Sequence, residues 1–196
     1  MKSHCSAVVT LLACLAVMVV LAPVAQAADY VGNSKCKMCH KKADEGEIYN
    51  KWKAASHSKA FETLKSDAAK AAAKEAGVEK PPHEAPECLS CHVTAFDAKS
   101  DPHVPDKIKI EDGVQCEACH GPASDHVKDG QARKMKKDES VDPTKSIGHP
   151  DVKVCVTCHN DKSPTWNPER YTLDDGSKVG FDFKQAWKKI EHKKPE

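Results

Sequence analysis

Four cysteine pairs, each followed directly by a histidine, are the residues of this 196-residue chain that are best placed to do chemistry. The C-x-x-C-H spacing is typical of c-type haem attachment, because two thiols bond to the vinyl groups of one haem and the adjacent histidine binds its iron. We therefore predict four covalently attached haems with proximal ligands His40, His92, His120 and His159. Motifs 1 to 4 contain, in chain order, Cys36 and Cys39, Cys88 and Cys91, Cys116 and Cys119, and Cys155 and Cys158.

Structural zinc and disulfide bonds are the alternatives for these cysteines. Zinc ribbons join C-x-x-C pairs that lie about 15 to 20 residues apart, whereas the first cysteines of these motifs are 52, 28 and 39 residues apart. Neither alternative explains a histidine after all four pairs. Covalent haem explains it, and it uses every cysteine beyond residue 27.

The second axial ligand of each iron is expected to be histidine. Beyond residue 27, methionine occurs only at positions 38 and 135, inside motif 1 and within a run of lysines. Helical patterns nearby favour His57, His126 and His192, and we include His83, which four residues separate from motif 2. The six histidines outside the motifs and the N-terminal segment are His57, His83, His103, His126, His149 and His192.

Residues 1–27 are expected to form a secretory signal peptide. Lys2 precedes an apolar run from Val8 to Leu21, and Ala25-Gln26-Ala27 forms a processing site. A membrane anchor is the alternative, but the run is shorter than the ~20 residues of a spanning helix. A lipoprotein site at Cys14 is a weaker alternative. We expect an exported chain that starts at residue 28 and lies in the periplasm, with an extracellular location as the alternative.

The mature chain is poor in apolar side chains. It has 29 basic and 29 acidic residues, and its 23 Leu, Ile, Val and Phe residues are about 14% of the total, below the ~20% that usually supports a protein core. The balanced charge argues against a nucleic-acid binder. Four haem macrocycles would supply the missing core, so we predict a fold that depends on bound haem.

The expected fold is mainly α with extensive loops and little β, in a single multihaem cytochrome domain over residues 28–196. Helix-like spacing predicts helix over 41–77, ended by Gly77 and Pro81-Pro82. Phe183, Trp187 and Ile190 predict an amphipathic C-terminal helix that carries His192. Residues 97–113 and 137–153 are expected to be loops.

The chain resembles the tetrahaem cytochrome c-554 family. The resemblance lies in motif 1, Trp52, the stretch A-S-H-S-K-A-F-E-T-L (55–64), and G-V-Q-C-E-A-C-H-G-P (113–122) with Asp125-His126. It implies that His126 is distal to the haem of His40, His57 to that of His120, and His192 to that of His159. The haem of His92 would be five-coordinate, and the presence of His83 departs from that pattern.

The function expected from this resemblance is electron transfer between redox proteins, a donor and an acceptor, in respiratory metabolism. A carrier is favoured over an enzyme, and no nucleic acid or membrane span after signal cleavage is expected. One alternative is reduction of nitric oxide or hydroxylamine at a five-coordinate second haem. Another is a homo-oligomer or extracellular filament in which a histidine such as His83 ligates a neighbour's haem.

Overall fold

The computed structural model describes residues 27–97, 104 and 106–192, and about half of these residues are helical with little strand. The mainly α expectation is therefore confirmed. The predicted signal peptide, apart from its last residue, and His103 lie outside the described residues. In the part that is described, no helix has the length and apolar character needed to cross a membrane. The α-helices are α1 (Asn33–His40), α2 (Ile48–Ala54), α3 (Ala60–Thr63), α4 (Asp67–Glu75), α5 (Pro86–His92), α6 (Cys116–His120), α7 (Ser124–Met135), α8 (Val152–Cys155) and α9 (Phe183–Ile190).

Short 3₁₀ turns and one hairpin complete the secondary structure of the described residues. The turns span Ala43–Glu45, Ser56–Lys59, Ile110–Asp112 and Pro143–Ser146. Strands β1 (Tyr171–Thr172) and β2 (Lys178–Val179) pair in antiparallel fashion. Both predicted loop regions thus contain one 3₁₀ turn, and α8 begins within the second.

Three of the four motifs lie on short helices that end at the motif histidine: α1, α5 and α6. In motif 4, α8 ends at Cys155 and a turn carries the rest of the motif. Residues three apart on a helix share a face, so a helical turn brings both cysteines of a motif to one side. The two cysteines of each such motif therefore provide two attachment points on the same side of the chain.

The predicted helical segment 41–77 is broken into a 3₁₀ turn, α2, a second 3₁₀ turn, α3 and α4. The Ser58 hydroxyl donates to the carbonyl groups of Lys53 and Ala55 at 2.9 and 3.0 Å, which stabilises the break after α2. Gly77, with a φ of 72°, follows the end of α4 and confirms the predicted stop. Local side-chain hydrogen bonds therefore override a continuous helical pattern.

The protein core is small. Its main cluster joins Phe61 and Leu64, around α3, to Leu89 and Val93, in and after α5. This contact holds the segment that contains His57 against motif 2. The cluster is consistent with the low apolar content of the sequence, because it covers only one part of the molecule.

A buried carboxylate fastens the N-terminal segment to motif 3. Glu117 is only 2% exposed and accepts hydrogen bonds from the backbone N–H groups of Val31, Gly32 and Ala123 at 2.8 to 3.0 Å. Burial raises the pKa of Glu117, and these N–H groups partly oppose that rise. One side chain thus fixes both the chain before α1 and the start of α7.

Glu117→Ala should lower the free energy of unfolding by about 3 kcal/mol, because three buried N–H donors lose their acceptor. Urea unfolding of the haem-loaded full chain, followed by far-ultraviolet circular dichroism, measures the loss. Glu111→Ala, at an exposed position of the same sequence region, should change the value by less than about 0.5 kcal/mol. Equal effects of the two substitutions would contradict the anchoring role of Glu117.

Candidate haem-attachment and axial-ligand sites

The eight motif cysteines are free thiols, and each is half-buried. Thiols from different motifs come together in three places. The Cys36 thiol of motif 1 lies close enough to the Cys116 thiol of motif 3 to raise the pKa of Cys36 and lower that of Cys116. The Cys91 thiol of motif 2 adds to the rise in the pKa of Cys158 in motif 4, which is due chiefly to burial.

The third place joins motif 3 to motif 4. Burial raises the pKa of Cys119 to about 11, and the neighbouring thiols Cys155 and Cys158 add to that rise. The attachment sites therefore follow one another in space in the order 1, 3, 4, 2. Motifs 1 and 2 stand at the two ends of this row.

Three pairs of histidine rings face each other at nearly the same separation. The ring centroids of His40 and His126 lie 6.0 Å apart with an interplanar angle of 8°. The His57 and His159 centroids are 6.0 Å apart at 75°, and those of His120 and His192 are 5.9 Å apart at 60°. Each pair combines a motif histidine with one of the three distal candidates.

This separation fits one iron between the two rings. A metal-to-imidazole nitrogen distance of about 2 Å on each side places the ring centroids about 6 Å apart. Direct stacking contact between two imidazoles would need a much shorter distance. The donor set also fits, since two imidazole nitrogens are common axial ligands of haem iron.

The ring pairing agrees with one of the assignments that the resemblance implies and differs from the other two. His126 faces His40, as the resemblance implies. His57, however, faces His159 and not His120, while His192 faces His120 and not His159. The physical reason is the approach of the segment after α9 to motif 3, which leaves the motif 4 histidine to the 3₁₀ turn that holds His57.

Backbone carbonyl groups orient several of these rings. The Nδ1 atoms of His92, His120 and His126 donate to the carbonyl groups of Ala60, Gly148 and Pro143, each at 2.8 Å. His192 Nδ1 donates to the Ile190 carbonyl at 3.0 Å. A proton on Nδ1 leaves the lone pair on Nε2, the atom available to iron.

Burial also keeps three of these rings neutral. It lowers the pKa of His57, His120 and His159 because the imidazolium form loses its hydration. A neutral ring is the form that binds a metal ion. The site therefore presents ligands in the required protonation state.

The remaining described histidines are placed differently. His92, on motif 2, has no histidine ring facing it among the described residues. His83 has its Nε2 3.5 Å from the Glu84 carboxylate, and its Nδ1 is buried without a hydrogen-bond partner. His149 directs its Nε2 to the Thr144 carbonyl at 3.3 Å. Neither ring is brought against a motif histidine.

Two features of the site were not predicted from the sequence. Phe181 stacks on the His159 ring at 5.2 Å and 15°, and Tyr171 packs edge-on against Phe181. Gly148 exchanges two backbone-mediated hydrogen bonds with His120: its N–H donates to the His120 carbonyl at 2.9 Å and its carbonyl accepts from Nδ1. A phenylalanine or glycine in a loop gives no sequence signal for contact with a histidine far away in the chain.

Two comparisons with known proteins bear on the family of this chain. A family model described as "Cytochrome c554 and c-prime" matches residues 35–121. The chain is 29% identical over 180 residues to cytochrome c-554 of Nitrosomonas europaea, across 83% of this chain and 74% of that protein. Both findings support a cytochrome of the c-554 family. No solved structure matches it.

This similarity supports a c-type cytochrome with covalently bound haem and a part in electron transfer between redox partners. The clustered thiols and paired imidazoles are what such a cytochrome requires. Every motif supplies two thiols and one histidine, which are the groups that attach one haem and bind its iron. Three of those histidines also meet a second ring.

Gly148→Ala should disturb the His120 ring of this cytochrome. A Cβ atom at position 148 would lie 2.5 Å from the His120 carbonyl oxygen. The two hydrogen bonds between Gly148 and His120 must therefore lengthen or break. We expect a loss of about 2 kcal/mol in unfolding free energy and a changed low-spin signal of one haem in the electron paramagnetic resonance spectrum.

Gly130→Ala is the matched control. Gly130 lies within α7, and a Cβ atom there would meet nothing within 4 Å. Alanine should stabilise the helix by about 0.5 to 1 kcal/mol and leave the spectrum unchanged. If the Gly148→Ala protein has the spectrum and stability of the parent protein, the hydrogen bonds from Gly148 do not hold the His120 ring in place.

Proposed function

We propose that this cytochrome is an exported, periplasmic electron carrier with four haems, which accepts electrons from one redox protein and delivers them to another. Bound haem supplies a one-electron Fe(III)/Fe(II) couple within a large apolar macrocycle. The chain contributes the attachment points, the axial ligands and the exclusion of water.

The row of attachment sites is the observation that carries this proposal. Thiols of motifs 1 and 3, of motifs 3 and 4, and of motifs 4 and 2 lie close enough to influence each other's pKa. Cofactors bonded to neighbouring thiols lie within close reach of one another. The arrangement supports a continuous path for electrons whose two ends are at motifs 1 and 2.

The paired rings support electron transfer over catalysis at three of the four sites. His126, His57 and His192 would hold an iron from the side opposite His40, His159 and His120, where a substrate would otherwise bind. Because each ligand is fixed in the fold, little rearrangement is needed when the iron changes its charge. Carbonyl groups that hold Nδ1 keep the ring orientations constant.

Replacement of each paired histidine by alanine tests the axial ligands. His57→Ala, His126→Ala and His192→Ala should each convert one low-spin ferric haem to high spin and raise its reduction potential, because a strong-field imidazole is lost. Electron paramagnetic resonance with potentiometric titration of the haem-loaded protein measures both changes.

His149→Ala is the control, since its Nε2 is occupied by a backbone carbonyl. It should leave the spin state and potentials unchanged.

The pairing itself is tested with double variants: His57→Ala combined with His159→Ala should affect one haem, and His57→Ala combined with His120→Ala should affect two. The reverse pattern would favour the assignment that the resemblance implies, and an unchanged spectrum in a single variant would remove that residue from the ligand set.

A second candidate function is the binding and reduction of a small molecule at motif 2. His92 donates from Nδ1 to the Ala60 carbonyl, which leaves its Nε2 available to hold an iron, and His83, the nearby candidate, has its Nε2 beside the Glu84 carboxylate. A site with one imidazole leaves a coordination position for a ligand such as nitric oxide.

Titration of the reduced protein with carbon monoxide tests this candidate. We expect one equivalent to bind per chain with a change in the Soret band, and the same stoichiometry in His83→Ala. Failure of the parent protein to bind carbon monoxide, together with binding by His83→Ala, would identify His83 as the second ligand and exclude the open site.

A further inference from the structure

Positive charge is concentrated around motif 1. We define the motif 1 face as residues 33–54 and 133–137, which together contain ten Lys or Arg residues and three acidic residues. The whole chain has a net charge of only +1, so the remainder carries a negative excess. This distribution gives the molecule a strongly basic end.

The two segments of the face lie together in the structure. Lys134, near the end of α7, forms an ion pair with Glu45 in the turn after α1. The Cys39 thiol and Asp44 also lie close enough to Lys134 to influence its pKa, which is raised chiefly by the hydrogen bond to Glu45. The contact of His40 with His126 joins the same two segments at the haem site.

Two exposed methionines stand among these basic residues. Met38, between the cysteines of motif 1, is 56% exposed, and Met135, beside Lys134, is 78% exposed. In motifs 2 and 3 the residue directly after the first cysteine is buried, since Leu89 is 5% exposed and Glu117 is 2% exposed, whereas the matching residue of motif 1, Lys37, is exposed. Motif 1, on α1, is thus accessible to a partner. Its methionine and Met135 are flexible apolar side chains that adapt to varied surfaces.

We propose that the motif 1 face is a docking surface for an acidic redox protein that exchanges electrons with the haem of motif 1. The proposal deepens the proposed function and rests on it. Lysines around the face attract and orient a partner with carboxylates around its own cofactor, while Met38 and Met135 form the apolar centre of the contact. One electron leaves the reduced partner and converts one ferric iron to ferrous, without a bond being made or broken.

An acidic protein fits this face better than an anionic membrane does. Membrane-surface binding relies on aromatic and leucine side chains that enter the lipid. The exposed large apolar side chains of the face are two methionines, whereas Trp52 is 9% exposed and donates a hydrogen bond from Nε1 to the Val114 carbonyl. Flexible methionines within a ring of lysines suit a short-lived protein contact.

The lysines of α4 and the loop after it provide an internal comparison. Residues 59–80 contain five lysines and four acidic residues, so their charges nearly cancel. Lys70, Lys74 and Lys80 line a cavity of about 660 Å³ beside His83. These lysines are exposed, as those of the motif 1 face are, but acidic neighbours surround them.

Two triple variants of equal charge change test the proposal. The face variant is Lys41→Glu, Lys42→Glu and Lys136→Glu, and the control is Lys70→Glu, Lys74→Glu and Lys80→Glu. The probe is flavodoxin, a small acidic one-electron carrier. Isothermal titration calorimetry gives its Kd for the haem-loaded full chain, and stopped-flow absorbance gives the second-order rate of haem reduction by its hydroquinone form.

At low ionic strength we expect the face variant to raise Kd and lower the rate at least tenfold, and the control to change each less than threefold. The two variants should converge near 0.5 M salt, where charges are screened within about 4 Å. Equal losses in both variants would overturn the proposal, because they would report net charge alone. Tighter binding of the parent protein to phosphatidylglycerol vesicles than to flavodoxin, lost in the face variant, would overturn it in favour of a membrane.

Reduction by dithionite separates this test from the proposed function. Both variants should be reduced fully by dithionite, with the spin states and potentials of the parent protein apart from small shifts from the altered charge. A parent protein that dithionite cannot reduce reversibly would contradict the proposed function. Normal reduction by dithionite with unchanged flavodoxin binding in the face variant would contradict only the docking surface.

Discussion

An iron that takes two imidazole ligands requires two histidine rings whose centroids are held about 6 Å apart, and the fold of this cytochrome is arranged around that requirement. The paired histidines are 86, 102 and 72 residues apart in the chain. Closing such long loops costs conformational entropy, and the apolar side chains of the protein are too few to offset it. Bonds to haem and to its iron supply the long-range connections that a larger hydrophobic core supplies elsewhere.

The backbone contributes to this arrangement as much as the ligands do. Carbonyl groups fix Nδ1 of four rings, so that the lone pair of Nε2 is directed away from the backbone. Glu117 binds the N-terminal segment to α6, and the ion pair of Glu45 with Lys134 joins the ends of α1 and α7 at the basic face. These contacts give the row of attachment sites two different ends: an exposed, basic end at motif 1, and a motif 2 end whose histidine faces no second ring among the described residues.

The sequence predicts the chemistry of this cytochrome better than its spatial arrangement. Motif spacing identifies all eight cysteines and the four motif histidines, and helical patterns select His57, His126 and His192. Spacing cannot tell which ring His57 faces, because that depends on where the segment after α9 packs. The amphipathic pattern predicts α9 correctly, although His192 lies two residues beyond its end. The segment 41–77 is interrupted because Ser58 bonds to nearby carbonyl groups, and the roles of Gly148 and Phe181 arise from contacts between distant parts of the chain.

Spin quantification by electron paramagnetic resonance on the purified, fully oxidised protein tests the central claim most directly, when combined with a haem count by the pyridine haemochrome method. The account predicts four haems per chain, three of them low-spin with two imidazole ligands and one of them high-spin. Dilution should not change this ratio, because each ligand pair belongs to one chain. Fewer than four haems, or fewer than three low-spin irons in the dilute protein, would contradict an arrangement built on three histidine pairs.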